Sequence, residues 1–233
     1  DLPFYLDWVE FKEYYMQNAL RRLRDMWEER GVKGVPFFHN YPTGHDVPPN
    51  NYTEIEKILD FQGPDMYPTR RQYHKQKALV NFASGLSRFP CIPEFGSGGF
   101  FWAPPVSVDD QRFTTPACFM HGIKGINFYM LVERERWYGS PITRDGRKRK
   151  EQWDFYKDFI SWFQKTGINK LEKCASALLL SVRDYERLAL ATTLIDPAPL
   201  LTPSMVSAET HCKEDDFGFP EPVQIAQETQ WFA

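Results

Sequence analysis

The sequence predicts an α/β fold: half of a (β/α)8 TIM-type barrel over residues 1–168, followed over 169–233 by a linker and the start of a second domain. Three observations carry this expectation. Strand-like apolar runs alternate with helical periodicities, and such alternation builds parallel sheets, because a crossover helix must return the chain before the next parallel strand. In each unit the loop after the strand is long and holds the polar and aromatic residues, as on the C-terminal face of a barrel. The competing doubly wound sheet would show a glycine-rich phosphate turn after its first strand, and the sequence has none. Only four strand units precede Thr166, which is too few for a whole barrel.

The elements follow in order. Residues 8–30 read as a helix, because Trp8, Phe11, Tyr15, Ala19, Leu23 and Met26 recur at three- and four-residue steps and Gly31 stops it. Residues 34–40 are a short apolar strand ending in polar residues, and 41–52, rich in Pro, Gly and Asn, are a loop. Residues 55–61 are apolar enough for a further strand, which Gly63-Pro64-Asp65-Met66-Tyr67-Pro68 ends. Residues 73–86 read as a helix. The run 89–92 reads as a buried strand with Glu94 at its end, and a long loop continues to Pro105. A helix over 110–122, a strand over 125–131, a polar loop over 133–150 and an amphipathic helix over 153–166 complete the pattern. Beyond Gly167 the character changes. Residues 175–182 are an apolar strand-like run, 183–193 suit a helix, and 196–233 are rich in proline and acidic residues with little periodicity.

Composition narrows the function classes. A formal net charge of −3 over 233 residues argues against a nucleic-acid or membrane-surface role. The basic run over 144–150 lies beside Asp145 and Glu151 and reads as a solvated turn. No apolar run is long enough to span a membrane. The cysteines Cys91, Cys118, Cys174 and Cys212 form no CxxC pair and have no zinc-site spacing, so no metal is expected and they read as buried thiols. Seven Trp and nineteen Phe suit either a carbohydrate site or a thick core. The chain opens on Asp1-Leu2-Pro3 without Met, as a piece of something longer or a processed product would.

Glu94 is the most informative position. It follows an apolar run and precedes a glycine-rich segment and the cluster Phe100-Phe101-Trp102. Aromatic faces stack on C–H-rich pyranose rings, and a carboxylate can attack or protonate at the anomeric centre. An isolated glutamate there would read as a loop-end salt bridge; these neighbours favour chemistry.

Four segments occur in an order that resembles a known family: Pro36-Phe37-Phe38-His39-Asn40, Gly63-Pro64-Asp65-Met66-Tyr67-Pro68, Pro93-Glu94-Phe95-Gly96 and Gly125-Ile126-Asn127-Phe128-Tyr129-Met130. Over about residues 5–165 they are similar to the C-terminal half of β-galactosidase-type glycoside hydrolase barrels, families 35 and 42, of the retaining clan. In that resemblance the fifth strand ends near an Asn and the sixth in Asp-x-Tyr-Pro. The seventh carries the nucleophilic Glu, and the eighth reads Asn-x-Tyr-Met. It implies hydrolysis of terminal β-glycosides, most of all β-galactosides, with Glu94 as nucleophile. The family's acid/base Glu follows an Asn on the fourth strand; this chain holds no Asn-Glu dipeptide, so that residue is expected before Asp1. The loop Leu131-Val132-Glu133-Arg134-Glu135-Arg136-Trp137 departs from the family's glycine-rich one, a difference that bears on specificity.

The expected substrate-binding residues are Asn40, Asp65, Tyr67, Trp102, Asn127, Tyr129 and Trp137. A tyrosine at position 67 can donate to the nucleophile, and Asp65 can hold sugar hydroxyls; the plainer reading is a Pro-flanked turn capped by Asp65. Asn127 and Tyr129 alternate with Phe128 and Met130, so either they line the barrel mouth or the strand is merely half-buried. His39 reads as structural. Trp102 with Phe101, and Trp137, are candidate stacking platforms. Glu133 and Glu135 are expected to pair with Arg134 and Arg136, and the aromatics from Trp153 to Phe163 to pack the last helix. No cofactor is expected, since water and two carboxylates suffice. The expected partners are an oligosaccharide or β-glycoside and the missing N-terminal half of the barrel, whose absence would leave open sheet edges. A homo-oligomer is compatible with this, and a cytoplasmic location is the expectation. The weighed alternative is a non-catalytic carbohydrate-binding barrel.

Overall fold

The computed structural model describes residues 2–42, 51–100 and 105–173. Helix α1 (Leu2–Glu29) leads into strand β1 (Phe38–Pro42), helix α2 (Tyr52–Ile58) and strand β2 (Phe61–Met66). Helix α3 (Tyr73–Leu86), strand β3 (Cys91–Gly96) and the short strand β4 (Gly99–Phe100) follow. Helix α4 (Val108–Met120), strand β5 (Gly125–Tyr129), the short strand β6 (Trp137–Tyr138) and helix α5 (Lys150–Thr166) complete the described fold.

One four-stranded parallel sheet, in the order β1-β2-β3-β5, organises the molecule. Each strand pairs with the next one supplied by a crossover helix. A doubly wound sheet would reverse its strand order at a switch point; this sheet never does, which is how a barrel wall grows. The pair β4–β6 is a separate antiparallel ribbon above β3 and β5.

The sheet's outer face is packed by helices. Met66, Ile92 and Phe95 from the strands meet Val80 of α3, Cys118 and Phe119 of α4, and Ile123; Phe159 and Phe163 of α5 close over them. Each such side chain, removed from water, contributes about 1.5–3 kcal/mol. On α5, Phe155 stacks on Phe159, Phe163 packs tilted against Phe159, and Phe128 meets Tyr156 edge-on with centroids 4.8 Å apart.

Three sequence expectations change. Residues 55–58 are helical, because Asn51 caps α2 by accepting from the Glu54 amide and Ile55 and Ile58 face Met16 and Leu20 of α1. The strand begins only at Phe61. Glu94 lies within β3, whose pairing with β5 carries it to Gly96 opposite Tyr129. The helix expected over 8–30 exists, but the stripe that predicted it faces solvent: Trp8, Phe11, Tyr15 and Leu23 are 44%, 51%, 67% and 53% exposed. Among the residues of α1 whose side chains are described, Val9 and Glu13 are buried. Trp102, Phe101, Cys174, Cys212 and the elements expected beyond residue 173 lie outside the described residues.

Candidate active site

The C-terminal ends of the parallel strands bring Asn40, Asp65, Glu94 and Tyr129 to one rim, because β1, β2, β3 and β5 run side by side in the same direction. Asp65 lies directly opposite Glu94 across the β2–β3 ladder. Tyr67 follows β2, and its hydroxyl donates to Glu94 Oε1. The Asn40 amide donates to Asp65 Oδ1 at 2.9 Å and Oδ2 at 3.0 Å, and its nitrogen is 3.5 Å from Glu94 Oε2.

Tyr67 reaches Glu94 because Gly96 lies beneath its ring. A Cβ on Gly96 would come within 2.3 Å of Tyr67 Cδ1. The phenol is pushed far above its ordinary value, first by burial and then by its bond to Glu94. It therefore stays protonated and remains a donor. Burial also pushes the Asp65 carboxyl up to about 6; the Asn40 amide opposes this and the charge of Glu94 adds to it.

Ser97 anchors the far side of the rim. It exchanges backbone bonds with the end of β5, its amide donating to the Tyr129 carbonyl at 2.8 Å and its own carbonyl accepting from the Met130 amide at 2.9 Å. The same carbonyl accepts from Trp137 Nε1 at 2.9 Å. Gly98, at φ +83°, lets the chain turn there; a Cβ would lie 2.7 Å from Trp137 Nε1 and from Ser140 Oγ. Trp137 is 2% exposed, wedged edge-on against Tyr129 at 4.9 Å and near Tyr67 at 6.0 Å. Among the described residues the indole expected to stack on a sugar is thus enclosed, packed against the two phenols.

Asn127 is exposed on β5, and its amide donates to the Pro93 carbonyl at 2.9 Å. That carbonyl lies where the β3–β5 register shifts, so Asn127 completes the ladder. His39 is partly buried, and burial lowers its pKa, in keeping with a structural role. Trp102 lies outside the described residues.

The pairing expected within 133–136 is also corrected. Glu133 binds Arg149 at 2.6 Å and the Gly139 amide at 2.6 Å. Arg134 instead donates to the Tyr129 hydroxyl at 2.6 Å. Neither Arg134 nor Ser97 was legible beforehand. The turn at Arg136, with φ 63°, brings Arg134 back over the strand, and nothing in the composition of that loop signals it. Among the described residues no group of His, Cys, Asp and Glu is placed to hold a metal ion, and no helix is long and apolar enough to cross a membrane. A cavity lined by Arg24, Phe37 and Asp60 lies at the opposite end of β1, away from Glu94.

No protein-family model matches the chain, nor does any curated protein sequence. Solved structures do. The chain is similar to the β-galactosidase from the psychrophilic Marinomonas ef1, with a TM-score of 0.60 and 15% identity over 81% of this chain and 34% of that one. It is also similar to a catalytic mutant of a GH42 β-galactosidase from G. stearothermophilus, with a TM-score of 0.59 and 16% identity over 80% of this chain and 30% of that one. The chain thus spans about a third of the length of these neighbours. At such identities the likeness is one of fold: a parallel α/β sheet that matches part of a larger enzyme.

Proposed function

We propose that residues 1–168 form the C-terminal half of a retaining glycoside hydrolase barrel that cleaves terminal β-glycosides, β-galactosides above all. Residues 169–233 begin a following domain. The observation that carries this reading is the clamp on Glu94: the Tyr67 hydroxyl on one oxygen and the Asn40 amide beside the other. It lies on the strand-end rim where barrels of this kind do their chemistry. The printed descriptions of both neighbours as β-galactosidases point the same way.

The chemistry follows from the clamp. Glu94 attacks the anomeric carbon while a second carboxyl, contributed from before Asp1, protonates the departing oxygen. The glycosyl–Glu94 ester is then hydrolysed by water that the second carboxylate deprotonates. Retention requires the two carboxyls about 5–5.5 Å apart. Asp65 does not suit the second role, because Asn40 ties it on the same side as Glu94. Tyr67 and Asn40 fix the attacking oxygens, which lowers the reorganisation needed to reach the transition state.

The partner half accounts for surfaces that are otherwise hard to explain. Among the described residues the sheet has β1 and β5 as its edges, and the aromatic stripe of α1 is exposed. A preceding half-barrel would pair with both edges and cover that stripe.

The test is covalent trapping. A 2-deoxy-2-fluoro-β-galactoside with a dinitrophenolate leaving group needs no acid to depart. Mass spectrometry should find one sugar on Glu94, and none in Glu94→Gln. Sugar binding without any label on Glu94 would instead support the non-catalytic carbohydrate-binding barrel.

A further inference from the structure

Asn40 has one amide group and two carboxylates in front of it. Its nitrogen lies 2.9 Å and 3.0 Å from the two Asp65 oxygens and 3.5 Å from Glu94 Oε2. An ionised carboxylate can only accept, and an amide nitrogen can only donate. Asp65 therefore decides which end of the Asn40 amide faces Glu94. Were the amide turned over, its oxygen would confront the lone pairs of both acids.

We propose that Asp65 is a positioning residue: it orients the Asn40 amide toward Glu94, and the charges of the two carboxylates are coupled through that bridge. The proposal rests on the nucleophile reading of Glu94 and reassigns Asp65, expected from the sequence to hold sugar hydroxyls.

The surroundings of Asp65 bear on its titration. From β1 it meets Asn40, and its charge reaches the buried Tyr41 phenol on the other face of that strand, whose pKa burial raises first and the charges of Tyr52 and Asp65 raise further. His39 alternates to the other face of that strand. Tyr67 follows on its own strand and feels its charge. From β3 it meets Glu94, and Tyr129 with its Arg134 partner stands beyond Tyr67. Burial raises the Asp65 carboxyl to about 6, the Asn40 bond lowers it and the Glu94 charge raises it. Once protonated, Asp65 can donate its own O–H to the Asn40 oxygen. The amide is then free to turn, and Glu94 loses a donor. The acid limb of activity would thus report Asp65 acting through Asn40.

Two experiments decide this. In the full chain with 13C-labelled carboxyls, Asp65 should titrate near 6. Its midpoint should fall in Glu94→Gln and rise in Asn40→Ala. A midpoint unmoved by Glu94→Gln overturns the coupling. In protein that turns over an aryl β-galactoside, Asp65→Asn should lower kcat by about ten- to a hundredfold with KM little changed, as a misplaced nucleophile does. The acid limb should shift at the same time. An unchanged pH profile beside a lowered melting temperature would mean a merely structural role and would overturn the proposal. If Asp65→Asn does not fold, the two carboxyl titrations decide alone. Failure of the wild type to cleave any glycoside would remove the nucleophile reading, while the titrations would still report whether the carboxylates are coupled.

Discussion

Replacing Gly96 with alanine should disable Glu94 without touching it. The added carbon would lie 2.3 Å from Tyr67 Cδ1, 3.0 Å from Cε1 and 3.1 Å from Cγ. Carbon atoms sit comfortably at about 3.5 Å or more, so the ring must retreat by about 1.2 Å. The strand cannot yield in its place, because Gly96 lies opposite Tyr129 in the β3–β5 ladder and its carbonyl accepts from the Gln111 side chain. An O–H···O bond spans only about 2.5–3.0 Å, so a shift of this size breaks the Tyr67–Glu94 contact. Overpacking should cost roughly 1–3 kcal/mol of stability, read by urea unfolding. A hydrogen bond to a charged group contributes about 1.5–3 kcal/mol, so kcat on an aryl β-galactoside should fall about ten- to a hundredfold. The decisive assay is a double-mutant cycle with Tyr67→Phe. Once the hydroxyl is gone, Gly96→Ala should cost little further activity. If the two losses add, Gly96 does not act through Tyr67 and the reasoning fails.

Trp137→Ala should destabilise by roughly 3–5 kcal/mol, measured by denaturant melts, because the indole is fully enclosed and its loss leaves a cavity behind both phenols. Were the ring a sugar platform, affinity would suffer and stability would not. Asn51→Ala removes the cap of α2 and should cost about 0.5–2 kcal/mol, with Asn51→Asp restoring it; thermal unfolding followed by circular dichroism checks both. Asp65 gives a pH signature of defined sign. Its folded value, about 6, lies above the ordinary 3.8, so between these values the folded chain holds the extra proton. Its contribution to stability is therefore present below about pH 4 and lost as pH rises through 6. Melting temperatures of wild type and Asp65→Asn should diverge over that window, the variant lacking the decline. Parallel curves would count against a raised Asp65.

Strand order and most of the helices were legible because they rest on local periodicity and on turn chemistry. Helix α3 carries its pattern over Tyr73–Leu86, where it was expected. The stretch at 55–61 misled for a physical reason. A seven-residue helix offers two turns of pattern, and its apolar residues Ile55, Ile58 and Leu59 read as a strand unless the Asn51 cap is recognised. The α1 stripe misled differently: its period was right, but sequence alone does not say which face meets a neighbour. For the candidate site, the sequence named the acid, the tyrosine and the asparagine. It did not show that Trp137 is buried or that Arg134 turns back to Tyr129. The first depends on the ribbon β4–β6, which joins residues about forty positions apart, and the second on the bend at Arg136, which no residue pattern signals.

The open rims of the sheet have a practical side. Among the described residues β1 and β5 have a strand neighbour on one side each, and Trp8, Phe11 and Tyr15 of α1 are exposed; surfaces of this kind are sticky toward any β-structure or apolar face they meet. Produced by itself, this polypeptide should self-associate and scatter light at low concentration. Co-production with a matching half-barrel, or charged replacements along the outer helix, should return it to discrete particles. Solubility in such a pairing screen thus offers a quick way to find what normally covers these borders, before any sugar is tried.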